Sequence, residues 1–121
     1  ERVEFLGWIK DKRKEEIFRT SSIFCLPSYA EGFPMAILDA WAYGLPVITT
    51  PVGGVPDIVI DGKNGLLFTP GDVTMLAEKL ELLISDIILR QKLSDEAKKL
   101  ADTTLNENTM SQHIANIYAS L

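Results

Sequence analysis

An α/β fold, a parallel sheet flanked by helices, is predicted by three observations. Short apolar runs recur at 3–6, 23–26 and 47–50. The second and third show no alternation of polar and apolar side chains, as expected of strands covered on both faces. Stretches of helical periodicity separate the runs, and strand–helix–strand spacing of this kind implies right-handed crossovers and parallel pairing.

The run Val3, Glu4, Phe5, Leu6 reads as the first strand. Residues 12–20 read as a helix with Ile17 and Phe18 on its inner side. The run 23–26 contains the single cysteine, Cys25, whose apolar neighbours make it a small buried hydrophobe rather than a nucleophile. A helix is predicted over 34–43. Pro34 fits its first turn, where a missing N–H costs nothing, and Gly44 ends it. The run 47–50 is the next strand, and an extended piece at 65–68 follows the turn 61–65.

Beyond Pro70 the character changes. Asp72 is a candidate N-cap for a helix carrying Leu76, Leu80, Leu83, Ile84 and Ile87 on one face. A second helix is expected over 86–101. A third is expected over 107–121, with Met110, Ile114, Ile117, Tyr118 and Leu121 on one stripe. The 121 residues suit one domain, 1–121. A chain that opens on a buried strand is expected to lack the N-terminal part of that domain, because a three-strand parallel sheet with bare edges is a poor unit alone.

Composition excludes several function classes. The net charge of −5 argues against nucleic acid and anionic membrane as partners. Lys10, Lys12, Arg13 and Lys14 cluster, but Asp11, Glu15 and Glu16 interleave with them, the pattern of a solvated helix face. His113 is the only histidine, so no His-based metal site or catalytic dyad can form within the chain. One cysteine excludes an intramolecular disulfide and suits a reducing compartment. No apolar run reaches the roughly 18–20 residues of a membrane span. The charged opening, Glu1, Arg2 and Glu4, predicts no signal peptide.

The chemistry concentrates between Leu26 and Phe68. Open α/β sheets bind ligands at the carboxyl ends of their strands, so the loop holding Ser28, Glu31 and Gly32 faces a crevice. The free N–H groups near Met35 and Ala36 would make a phosphate site there. Glu31 either complements or caps that helix start, or accepts hydrogen bonds from sugar hydroxyls. Asp39 lies within the apolar helix sequence Ala36, Ile37, Leu38, Ala40, Trp41, Ala42. It either points to solvent or faces the crevice, where a carboxylate suits the two hydroxyls of a ribose.

The order and spacing of Pro27-Ser28, Glu31-Gly32-Phe33, Asp39-Ala40, Ala42, Gly44, Pro46-Val47-Ile48-Thr49, Gly53-Gly54-Val55-Pro56-Asp57, Gly62 and Gly65-Leu66-Leu67 resemble a known donor site. It is that of the retaining nucleotide-sugar glycosyltransferases called group 1, which have the GT-B fold of two Rossmann-like halves. The resemblance runs over 3–121 and is dense between 27 and 72. It implies that this chain is the C-terminal, donor-binding half of such an enzyme. Glu31 would be the catalytic acid of the donor site. Gly32, Phe33, Met35 and Ala36 would lie at the donor sugar and diphosphate, and Asp39 at the ribose. Trp8 and Ile9 would flank the nucleobase, with core packing as the alternative. Gly53 and Gly54 would let a loop approach the donor, or serve a turn needing positive φ. Ser28 would donate to phosphate or cap the loop. The chain departs from the family pattern at Asp39 and Asp57, each in place of the usual glutamate. Asp57 also suits a helix start on dipole grounds alone.

The resemblance further implies transfer of a sugar from a nucleotide-diphosphate donor to an acceptor hydroxyl with retention of configuration. No cofactor and no metal are expected. The acceptor, a sugar, a lipid-linked group or another hydroxyl, would bind the missing N-terminal domain, and the family's basic pair lies upstream. The isolated chain is therefore expected to be inactive. Residues 106–121 would dock on the absent domain or pack on this one. A cytoplasmic location is expected, with the full-length protein able to lie at a membrane periphery. The alternative function is a non-catalytic nucleotide-sugar-binding or scaffold module derived from such an enzyme.

Overall fold

The computed structural model describes residues 3–32 and 34–103. In chain order the elements are α1 (Asp11–Thr20), β1 (Phe24–Leu26), α2 (Met35–Ala42), β2 (Val47–Thr49), a single 3-10 turn (Val55–Asp57), β3 (Leu66–Leu67), α3 (Val73–Ser85) and α4 (Ile87–Thr103). The strands form a parallel sheet in the order β1-β2-β3. Phe24, Cys25 and Leu26 stand beside Val47, Ile48 and Thr49, and Ile48 and Thr49 beside Leu66 and Leu67. The α/β class and parallel sheet read from the sequence are both present.

The central strand decides where the core sits. Every residue of β2 is buried. Its side chains alternate between faces, so Val47 joins one cluster with Ile37, Ala40, Trp41, Leu45 and Val55. Ile48 joins the other with Leu66, Phe68, Leu83 and Leu93. Thus α2 covers one face and α3 the other. The helix α4 packs against both, with Leu93 in one cluster and Ala97, about a turn later, in the other.

Local chemistry explains the element ends. Gly44, at φ 72, ends α2 in a Schellman turn: its N–H donates to Trp41 O at 2.9 Å and that of Leu45 to Ala40 O at 3.0 Å. The hydroxyl of Ser94 on α4 donates to the Gly44 carbonyl, pinning that turn. Asp72 caps α3 as expected, its Oδ1 accepting from Met75 N at 2.9 Å. Asp86 ends α3 in an extended conformation and accepts from Leu89 N at 2.9 Å, so one residue stops one helix and starts the next. The turn before β3 is built on buried Asn64, which accepts from Ile60 N at 2.7 Å and donates to Ile58 O at 2.9 Å.

Two expectations are corrected. Residues 3–6 form no strand, and Phe5 is 95% exposed. An apolar run becomes a strand only with a ladder partner, and β1, the nearest edge, pairs with β2 alone among the described residues. The α3 stripe also has a different phase. Met75, Leu76, Leu80 and Leu83 face the core, whereas Ile84 and Ile87 are 64% and 66% exposed. Ile84 lies a further 100° round from Leu83, and the break at Asp86 puts Ile87 on a new helix. The helix expected over 107–121, its stripe, His113 and the docking assigned to 106–121 lie outside the described residues.

The phase of α3 has a measurable consequence. Leu83→Ala, at a fully buried position, is expected to lower stability by about 2–5 kcal/mol. Ile84→Ala next to it is expected to change stability by no more than about 0.5 kcal/mol. Urea denaturation of the two variants checks this, and equal losses would contradict the assigned face.

Candidate functional site

In this parallel sheet the loops that follow β1, β2 and β3 emerge on one side. The first holds Ser28 and Glu31, the second Gly53 and Gly54, and the third Gly71. Their convergence begins with two buried threonines. Thr49 Oγ1 donates to Leu26 O at 2.9 Å and Thr50 Oγ1 to Ser28 O at 2.5 Å. Both side chains are cut off from water, so each hydroxyl must be paired within the protein, and the pairing fixes the chain as it leaves β1.

That fixed stretch presents Glu31. Ser28 Oγ donates to Glu31 Oε2 at 2.6 Å, and both side chains are half-buried. Ser28 thus makes a hydrogen bond inside the loop, as its capping reading expects. Glu31 does not cap α2: Pro34 occupies the N-cap and makes no side-chain cap hydrogen bond. The first amide of α2 to bond back is that of Ile37, to Pro34 O at 3.1 Å. Among the described residues the amides of Met35 and Ala36 have no acceptor, as is general for first-turn amides of a helix. Phe33 lies outside the described residues.

The Gly-Gly loop packs directly on the Glu31 loop. Gly54 N donates to Gly32 O at 3.0 Å. A Cβ on Gly53 would fall 1.5 Å from Glu31 O, and one on Gly54 would fall 2.7 Å from Gly32 O. Gly53 also has φ 55. The turn reading holds for Gly53, and the close approach of the pair is that of one loop to the other. Tyr29 lies over Gly71 of the third loop, where a Cβ would meet its hydroxyl at 3.0 Å.

Asp39 lies farther along α2. It is half-buried, and its Oδ2 accepts from Lys14 Nζ of α1 at 3.1 Å. The two border a cleft of about 420 Å³ with Asp11, Lys12, Glu15 and Tyr43. Asp39 thus borders a cleft and meets a cation, with its side chain 42% exposed. Trp8 is 89% exposed, so core packing does not describe it, and Ile9 is half-buried. Neither lines the Asp39 cleft. Asp57 stands in the 3-10 turn, exposed. Burial pushes the Cys25 thiol up from its ordinary value, which disfavours the reactive thiolate. Among the described residues no three His, Cys, Asp or Glu side chains cluster as metal ligands would. No described helix is long and apolar enough to cross a membrane.

Sequence reasoning missed Lys14, Thr50 and Tyr29. The Thr49-Thr50 pair at the end of a buried run carries a signal, since buried hydroxyls need acceptors. Lys14 carries none, because it looks like any cation in a mixed-charge helix.

The Gly53 geometry is testable. Gly62 has φ 82 but open space around a Cβ, so Gly62→Ala is expected to cost about 1 kcal/mol. Gly53→Ala adds a backbone collision and is expected to cost more than that in the same urea titration. Equal costs would show that the loops separate freely.

The family described as Glycosyl transferases group 1 matches residues 1–100. The capsular polysaccharide biosynthesis glycosyltransferase CapM of Staphylococcus aureus is 31% identical over 101 residues, covering 84% of this chain and 27% of that protein. The C-terminal domain of the group 1 family protein LpcC from Francisella tularensis superposes with a TM-score of 0.77 at 35% identity, covering 85% of this chain and 53% of that one. Anabaena Alr3699/HepE, solved with UDP and glucose, superposes with a TM-score of 0.84 at 29% identity, covering 99% of this chain and 32% of that one. The chain spans less than a third of the curated relatives named or matched across its full length. With its parallel sheet, its loop order and these matches, the chain belongs to the glycosyl transferases group 1 family.

Proposed function

We propose that this chain supplies the donor site of a longer glycosyltransferase, which moves a sugar from a nucleotide-diphosphate donor to an acceptor hydroxyl with retention of configuration. The observation that carries the reading is the Glu31 loop. It holds an ion-capable carboxylate beside an uncapped helix start, at the carboxyl end of a parallel sheet. In this reading Glu31 supplies acceptors for sugar hydroxyls, the amides of Met35 and Ala36 supply donors for a diphosphate, and Asp39, a turn farther along the same helix and bordering the cleft with α1, takes the ribose. The complex of the relative HepE with UDP and glucose supports that class of ligand.

In this reading catalysis is positioning and electrostatic preorganisation. The bond between the anomeric carbon and the diphosphate oxygen breaks. The acceptor oxygen bonds to that carbon on the same face, and the departing phosphate takes the acceptor proton. The N-terminus of α2 stabilises the charge that gathers on the diphosphate, by about 0.3–1 kcal/mol for an exposed helix end. Glu31 orients the sugar, held by Ser28 and by the loop of Gly53 and Gly54. Metal is not required by this scheme, and the acceptor binds the other half of the full-length protein. A glycosidase pair is the poorer reading of Glu31 and Asp39, because hydrolysis of plain glycosides needs no diphosphate cradle.

In the full-length protein Asp39→Ala is expected to weaken nucleoside diphosphate binding by about 1–3 kcal/mol, read by calorimetry. Glu31→Ala is expected to lower kcat by about 100-fold or more. Affinity unchanged within about twofold, or about 0.4 kcal/mol, would remove Asp39 from the site. Normal donor binding with no turnover by the full-length protein would instead favour the scaffold module. The 121-residue chain alone is expected to transfer no sugar above a Glu31→Ala blank, and turnover by it would show that the other half is dispensable.

A further inference from the structure

We propose that Lys14 is a positioning residue for the Asp39 carboxylate, a proposal that rests on the ribose reading of Asp39 above. Lys14 and Asp39 are 25 residues apart and belong to different helices, yet Nζ lies 3.1 Å from Oδ2. The ammonium also stands 5.6 Å from the centroid of the Phe18 ring, one turn along α1. That ring is itself anchored, with Phe24 and Tyr43 each at 5.7 Å between centroids. Lys14 is therefore held by an aromatic face on its own helix while it holds a carboxylate on the next.

The arrangement matters because α1 is otherwise lightly attached. No residue of α1 is fully buried, and its apolar contacts run through half-buried Ile17 and Phe18. An ion pair this exposed adds little to folding. Its consequence lies in where it sets the carboxylate. An aspartate has two oxygens, and Lys14 engages Oδ2, so the pair leaves Oδ1 for a ribose hydroxyl. Aspartate is one methylene shorter than the glutamate that the resemblance expects at this position. A shorter side chain reaches less far, and a fixed orientation offsets part of that loss by removing rotamers before the ligand arrives. Asp11 and Glu15 also border the cleft. Lys14 thus stands among three carboxylates and pairs with Asp39, with Lys12 as the other ammonium there.

The test is a double-mutant cycle on the full-length protein, titrated calorimetrically with whichever of UDP, GDP and ADP binds the wild type. K14M is expected to weaken binding about three- to tenfold, and K14R to restore it to within about twofold, since guanidinium keeps the charge. In a D39A background K14M is expected to have no further effect, because its only route to the nucleotide is removed. An undiminished K14M loss in that background would mean direct contact with the nucleotide and would overturn the proposal. No K14M effect beside a clear D39A loss would overturn it while leaving the donor reading intact. No D39A effect would overturn the ribose reading and this proposal together. Lys14 is partly exposed, so K14M leaves the core untouched, and an unchanged thermal midpoint separates loss of positioning from loss of fold.

Discussion

Two hydroxyls at the end of β2 govern the ligand end of this domain. Thr49 and Thr50 are both fully buried and cannot reach water. Each donates instead to a carbonyl on the segment leaving β1, at Leu26 and Ser28. Leaving such a group unpaired costs about 1–3 kcal/mol, so the two strands are tied at the last rung of their ladder and just beyond it. Ser28, so placed, reaches Glu31 with its own hydroxyl. The carboxylate at the mouth of the crevice is thus reached from the central strand through two consecutive hydrogen bonds.

Close backbone packing reinforces the tie from the other side. Gly53 and Gly54 lie so near Glu31 and Gly32 that neither has room for a side chain. Behind them, β2 is covered by α2 on one face and α3 on the other, with α4 joining the two clusters. The result is a floor that cannot move without unpairing buried groups or opening a packed core.

The wall formed by α1 is built differently. It contributes no fully buried residue and meets the domain through Phe18 and the Lys14–Asp39 pair. Aromatic edges and a half-exposed ion pair are weak, and salt screens the latter. A rigid floor beside a lightly held wall would suit the charged donor proposed above, since entry would then disturb few buried contacts.

The sequence by itself determined the elements whose causes are local. The strands β1 and β2 follow from unalternated apolar runs, β3 from the extended piece after the turn 61–65, and α2 from Pro34 and Gly44. The cap at Asp72 follows from a carboxylate that reaches an amide three residues on. The loop bearing Ser28 and Glu31 was legible too, because residue order and spacing survive in one dimension. Only the tertiary structure decided which alternatives are realised. It left the run at 3–6 without a strand partner, turned Ile84 and Ile87 outward, and gave Ser28 to Glu31. It also set Asp39 against Lys14 and Thr50 against Ser28, pairs 25 and 22 residues apart. The physical reason is range. A cap or a periodic stripe is settled within a turn or two of chain, whereas a ladder partner or a cross-helix ion pair depends on how whole layers pack.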